Sequence, residues 1–183
     1  MFRNVLVLAC VVLAGCATPI VGEPELYTAT VDYSLSVKET LEFYHYDCVD
    51  RGISDWNVLE WTPVPEGQQE VSFGLVHFNA SYFSNLNNLG PSTSEVLVEL
   101  DKMGYRPATF AELCAFGVKC PDKQKRFLIV ALGSAFLGAY GKCNVTFLYW
   151  EYSVSYLNLC WIGGGIDGWG WWLDDWRFLV VPK

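Results

Sequence analysis

Positive charge is scarce in this chain. Twelve Lys and Arg stand against twenty Asp and Glu, giving a net charge of −8. That balance excludes charge-driven binding to nucleic acid or to an anionic lipid surface. Histidine is scarcer still: only His45 and His77 occur, so a histidine-dependent nucleophile has few possible bases. Charged residues make up only 17% of the chain against 52% hydrophobic ones, which excludes a disordered chain. No apolar run reaches the roughly 20 residues that a membrane-crossing helix needs. The uncharged stretch 127–141 is interrupted by Gly133, Ser134 and Gly138 and reads as core strands with a turn. Gly-x-Ser-x-Gly, His-Glu-x-x-His and phosphate-loop signatures are missing. So is any Cys-x-x-Cys pair of the kind that frames zinc. Among the twenty acids no spacing selects a pair for glycosidic chemistry.

What is present begins at the N-terminus. Arg3 precedes an apolar run over residues 5–13, and Leu13-Ala14-Gly15-Cys16 closes it. A charged start, a short apolar stretch and a small-residue cleavage site form a secretory signal. With a cysteine directly after Leu-Ala-Gly, the stretch resembles the lipobox of bacterial lipoproteins. That resemblance implies cleavage before Cys16, acylation of Cys16 (palmitate among the chains) and anchorage in a lipid bilayer of the bacterial cell envelope. Ala17 stands where an aspartate would retain a lipoprotein in the inner membrane, so in a host with two membranes the resemblance implies the outer membrane or cell surface. The expected organisation is a signal peptide over 1–15, a lipidated cysteine and tether over 16–26, and one domain over 27–183. Removing 1–15 takes away Arg3 alone and leaves the remainder one unit more acidic.

Lipidation of Cys16 leaves Cys48, Cys114, Cys120, Cys143 and Cys160. An odd number cannot pair completely within one chain. Cys114–Cys120 and Cys143–Cys160 are the candidate disulfides, with buried free thiols as the alternative.

Along the domain, 27–33 alternates β-formers and reads as a strand. Ser36 and Glu39 have capping-box spacing and open a helix to about Tyr44. Residues 47–68 mix Asp, Gly, Pro and Trp and read as irregular. A strand follows over 70–78 and a polar, asparagine-rich loop over 79–91. A helix is expected over 94–103, stopped by Gly104. Thr109 and Glu112 form a second capping box, opening a helix that ends near Gly117. Lys123, Lys125 and Arg126 read as a solvated loop. Strands are expected over 127–132, 144–151, 155–162 and 176–181. The fold class is therefore α+β: a single domain with two or three short helices and a β-rich C-terminal half.

Gly104-Tyr105-Arg106-Pro107-Ala108-Thr109 with Glu112-Leu113, the run 129–134 and the terminal stretch 176–183 resemble a group of bacterial proteins of unassigned function over residues 94–183. The Arg-Pro-x-Thr-x-x-Glu-Leu part is also similar to a helix of C-type-lectin-like domains, including formylglycine-generating-enzyme-like proteins and bacterial adhesin modules. The resemblance implies a C-type-lectin-like fold. Those enzymes use a late cysteine pair, but the sequences around Cys143 and Cys160 differ from theirs and carry over no catalytic role. Sugar-binding lectins hold calcium at Trp-Asn-Asp. Here the nearest string is Trp172-Leu173-Asp174-Asp175, which lacks the asparagine.

Residues 147–178 hold six of the eight tryptophans, interspersed late on with glycine. Trp150 and Trp161 read as core. Trp169, Trp171 and Trp172, with Asp174 and Asp175, are the candidate ligand-binding residues, because a glycine-rich loop can present Trp to a sugar ring or a partner protein. Their alternative is core packing. His77 reads as a structural histidine. Glu42 and His45 have the spacing of a di-metal helix, but no second copy accompanies them. No metal and no cofactor is expected. Asn79-Ala80-Ser81 and Asn144-Val145-Thr146 match the glycosylation pattern by coincidence in a bacterial chain. The expected function is a non-catalytic envelope lipoprotein that binds a glycan or an envelope protein through the late Trp/Gly segment. The alternatives are an envelope hydrolase or formylglycine-enzyme relative, and a purely structural lipoprotein.

Overall fold

Residues 128–137 are apolar at almost every position, which a strand tolerates only when both of its faces are covered. That strand lies in the middle of the molecule. The computed structural model describes residues 24–55, 57–78, 90–138, 141–163 and 172–183. Its elements run β1 (Leu26–Asp32), α1 (Val37–Tyr44), β2 (Cys48–Val49), β3 (Val58–Glu60), β4 (Gln68–Val76), α2 (Thr93–Lys102), β5 (Tyr105–Pro107), α3 (Phe110–Lys119), α4 (Pro121–Gln124), β6 (Leu128–Leu137), β7 (Cys143–Glu151), β8 (Val154–Trp161) and β9 (Trp176–Pro182). The strands form one mixed sheet in the order β1-β4-β9-β6-β7-β8-β2, with β3 joined to β6 and β5 to β9. The fold is α+β and strand-rich. β6 runs parallel to β9 and β2 parallel to β8, while every other pairing is antiparallel.

Alternate residues of the central strands feed two cores. Ile129 and Ala131 of β6, Leu148 of β7 and Leu179 of β9 pack with Leu113, Cys114 and Phe116 of α3. Their neighbours Val130, Leu132, Phe147 and Phe178 pack with Val96 and Leu100 of α2 and with Trp172 and Trp176. Three helices start at capping boxes: Ser36 with Glu39, Ser92 with Glu95, and Thr109 with Glu112. Each cap is worth about 1 kcal/mol. None of the helices among the described residues is long and apolar enough to cross a membrane.

The β5 strand explains how the site is put together. β6 pairs with residues 176–178 of β9, and β5 pairs with residues 180–182. Where β6 leaves β9, Ala108 fills the gap. Its N–H donates to the Leu179 carbonyl at 3.0 Å, and its own carbonyl accepts from the Gly133 N–H at 2.8 Å. A Cβ on Gly133 would lie 2.6 Å from the Ala108 oxygen, so only glycine permits this approach. Beyond Gly133, β6 pairs with β3 through residues 134–136. The detour brings Ser134, Glu60 and the start of α3 together.

Several expectations change. The segment expected to be irregular over 47–68 contains β2 and β3, which are too short to show a period-2 pattern. The basic run 123–126 overlaps α4, a single turn with Pro121 in its first position. α2 begins at Thr93 behind the Ser92 cap rather than at residue 94. Neither candidate disulfide forms, because Cys48, Cys114, Cys120, Cys143 and Cys160 are all free. Cys120 lies six residues after Cys114, past the end of α3 at Lys119, and the helical rise between them, about 1.5 Å per residue, puts the pair beyond disulfide reach. Cys160 lies opposite Val145, not Cys143. Cys143 is thus its diagonal neighbour, at about 7–8 Å between such Cα positions and beyond disulfide reach. Burial pushes the thiols of Cys114 and Cys160 well above their ordinary range.

Candidate functional site

The Gly-Tyr-Arg-Pro-Ala-Thr-x-x-Glu stretch folds into a turn, a three-residue strand and a capped helix, closed by one ion pair. Gly104 takes a φ of 81° after α2, a left-handed conformation suited to glycine. Glu112 is fully buried, and both its oxygens are used twice. Arg106 donates to it through Nη2 at 2.7 Å and Nη1 at 2.9 Å. The Thr109 backbone N–H donates at 2.7 Å, and the Tyr33 hydroxyl donates to Oε1. Burial, followed by this carboxylate, raises the Tyr33 pKa. Burial alone would lower the Arg106 pKa, but bonding to Glu112 outweighs it and the net direction is upward. The triad joins the turn after β1 to β5 and α3, and it leaves Glu112 no free acceptor for a ligand.

Next to it lies an open counterpart. Ser134 Oγ accepts from the Phe110 N–H at 2.8 Å and donates to Glu60 Oε2 at 2.5 Å. Glu60 accepts no other hydrogen bond among the described residues, so Oε1 is available. Partial desolvation raises the Glu60 pKa although the residue is exposed overall; the Ser134 bond opposes the shift and the charge of Glu112 adds to it. Trp61 follows directly. Its indole N–H donates to the Leu132 carbonyl at 2.7 Å. The backbone N–H groups of Trp61 and Thr62 both donate to the Gly133 carbonyl, at 3.4 and 3.3 Å. The ring is therefore fixed although the residue is 48% exposed.

Two grooves meet at Trp61. One of about 560 Å³ lies between α1, residues 58–64 and the start of α3, and is lined by Tyr33, Val37, Asp55, Glu60, Trp61 and Phe110 among others. The second, about 480 Å³, lies between Trp61, β5 and α2 and includes Leu97, Tyr105, Arg106 and Ile162. Asp55 is already engaged, as Oδ1 accepts from the N–H groups of Val37 at 2.5 Å and Lys38 at 3.4 Å. The arrangement offers apolar walls, an immobilised indole and two carboxylate oxygens with no hydrogen-bond partner among the described residues, Glu60 Oε1 and Asp55 Oδ2.

The residues picked from sequence lie elsewhere. Trp172 is a correction: it is 1% exposed and belongs to the core rather than to a ligand surface. Its N–H donates to Thr93 Oγ1 at 3.0 Å, and its ring meets Trp176 and Phe178 edge-on. Asp174 and Asp175 are exposed, and Asp174 Oδ1 lies 3.9 Å from His77 Nε2. Trp169, Trp171 and Cys16 lie outside the described residues, as do residues 1–23 and the sequon at Asn79. Trp161, expected in the core, is 40% exposed, and half-buried Trp150 lies under the Lys125 ammonium at 5.1 Å. His45 caps α1 in a left-handed conformation and Glu42 lies 3.8 Å from Lys38. Among the described residues no group of three or more His, Cys, Asp or Glu could hold a metal. Sequence reading passed over Glu60 and Trp61. The available signal was a Trp in a Pro- and Thr-containing segment, without apolar partners at helix or strand spacing.

No protein-family model, curated protein or solved structure matches this chain.

Proposed function

We propose that this chain is a lipid-anchored binding protein of the bacterial cell envelope, which holds a glycan at Trp61 and performs no chemistry on it. The observation that carries this reading is the Trp61 side chain, half-exposed between two grooves with its N–H already bonded to Leu132. With the donor engaged, the ring offers a rigid apolar face, the surface on which the C–H face of a sugar stacks. A platform locked before binding loses little entropy when the ligand arrives. This reading moves the ligand surface from the late Trp/Gly segment to Trp61. Anchorage rests on the lipobox ending at Cys16. Residues 17–23 add at most about 3.5 Å each, so the domain sits close to the bilayer. In a host with two membranes, Ala17 favours the outer membrane or cell surface. The C-type-lectin-like kinship is part of the proposal; its support is the capped helix after Arg106-Pro107 and the strand-rich half that ends in β9.

Two measurements test the reading. Radiolabelled fatty acid fed to cells should enter the wild-type protein and not Cys16→Ser; equal labelling of both removes the anchor. Full-length protein in detergent should bind oligosaccharides of envelope polymers, with Trp61→Ala weakening binding at least about tenfold. Unchanged affinity would dismiss the platform. The raised pKa and free oxygen of Glu60 in a groove favour a second reading, a hydrolase with Glu60 as proton donor. Cleavage of the same oligosaccharides, lost in Glu60→Gln, would establish it in place of the first.

A further inference from the structure

The groove on the Glu60 side of Trp61 is uniform in charge. Its two charged lining residues are the carboxylates Asp55 and Glu60, and no Lys, Arg or His lines it. Both α1 and α3 open towards it, and an open helix N-terminus would attract an anion. These two are already occupied. Asp55 accepts from Val37 and Lys38, Ser36 Oγ from Glu39, Ser134 Oγ from Phe110, and Thr109 Oγ1 from Glu112. An anionic ligand would therefore meet two carboxylates and few free donors. Ser134 fixes the orientation of Glu60: with the helix N–H occupying its oxygen, its proton goes to Oε2. Oε1 then remains as an acceptor in a groove also lined by the rings of Trp61 and Tyr33.

We propose that the glycan bound at Trp61 carries a free ammonium group, as in a de-N-acetylated amino sugar, and that Glu60 Oε1 is its partner. The inference rests on the glycan reading above and adds the chemistry of the recognised group. A carboxylate supplies the charge-assisted hydrogen bond. The electron-rich ring faces add attraction that a neutral acetamide would not receive. Asp55 holds two N–H groups of α1 through Oδ1 and keeps Oδ2 without a partner among the described residues, so it adds a second carboxylate to the same groove.

The test compares two ligands that differ in this group alone. Tryptophan fluorescence of the full-length protein in detergent is titrated with oligomers of β-1,4-linked glucosamine and of N-acetylglucosamine of equal length, at about pH 6, where the amine is protonated. The aminated oligomer should bind about tenfold more tightly. Glu60→Gln should bring the two to parity while leaving the affinity for the acetylated one unchanged. Glu70→Gln, at an exposed acid of β4 away from the groove, should leave the preference intact. Equal affinities in the wild type, with Trp61→Ala weakening both, would overturn the ammonium inference and leave the glycan reading standing. A preference that survives Glu60→Gln, or disappears equally in Glu70→Gln, would reduce it to attraction by the acidic chain as a whole. If neither oligomer binds, the glycan reading falls and this inference falls with it.

Discussion

Two carboxylates address the first turn of α3, and they meet opposite fates. Glu112 does so directly, accepting from Thr109, and is sealed between Arg106 and Tyr33 with every acceptor filled. Glu60 does so through Ser134 and keeps one oxygen open to a groove. The same contrast separates two tryptophans. Trp172 spends its N–H on Thr93 inside the core, while Trp61 spends its own on Leu132 and leaves its ring outside. A residue whose polar atoms are all satisfied and whose surface is buried belongs to the fold. A residue held in place with something left over is free for a ligand.

The tryptophans give the largest predicted difference. Trp172→Ala removes a ring packed on Trp176 and Phe178 and should cost about 4 kcal/mol of stability. Trp61→Ala gives up one hydrogen bond and a half-exposed ring, and should cost about 1 kcal/mol. Denaturant melts followed by circular dichroism measure both. Equal losses would mean that Trp61 is a packing residue, and the division between sealed and open positions would fail at its clearest point.

The carboxylates come next. Glu112→Gln leaves Arg106 without its counter-ion and places an amide N–H₂ against donors that need acceptors. Arg106, whose side chain is 21% exposed, can recover some hydration, so the loss should be about 3 kcal/mol, at the lower end for a broken buried pair. Arg106→Ala should cost a similar amount, and the double variant much less than the sum. Additive losses would show that the two residues act separately and that the closed side is not one unit.

These pairs also show what the sequence could reveal. The capping boxes at Ser36 and Thr109 were legible, because a cap is local: two residues three apart and the turn between them. The strands of the C-terminal half were legible because residues 128–137 and 176–182 must be apolar to be buried on both faces. The Tyr33–Glu112 contact spans 79 positions and leaves no periodic trace. Ser134 and Glu60 meet only because Gly133 lets Ala108 enter between β6 and β9, a consequence of topology rather than of spacing. The density of tryptophan after residue 147 is misleading for Trp172, because composition cannot distinguish an aromatic that fills a core from one that is displayed. Trp61 sits in a segment whose strands are two and three residues long, too short for a period to mark it.

The smallest effect is the most discriminating, because its sign matters more than its size. Burial raises the Glu60 pKa above the ordinary carboxylate value. Below that ordinary value the carboxyl is protonated in both the folded and the unfolded chain, and the native state bears no penalty. As pH rises through the raised folded value, ionising Glu60 costs more in the folded chain, and stability falls. Asp47 works the other way: the backbone and hydroxyl bonds from Ser155 lower its pKa, so its stabilisation is present above the ordinary value and lost as pH falls. The difference between Glu60→Gln and wild type cancels Asp47 and isolates Glu60. Gln keeps an oxygen for the Ser134 hydroxyl, so Glu60→Gln should match wild type in acid and become the more stable of the two at neutral pH, a trend that thermal melts across the pH range would record. If Glu60→Gln were instead destabilised at neutral pH, Glu60 would belong with Glu112 among the residues that hold the fold, and the acceptor beside Trp61 would have a structural role instead.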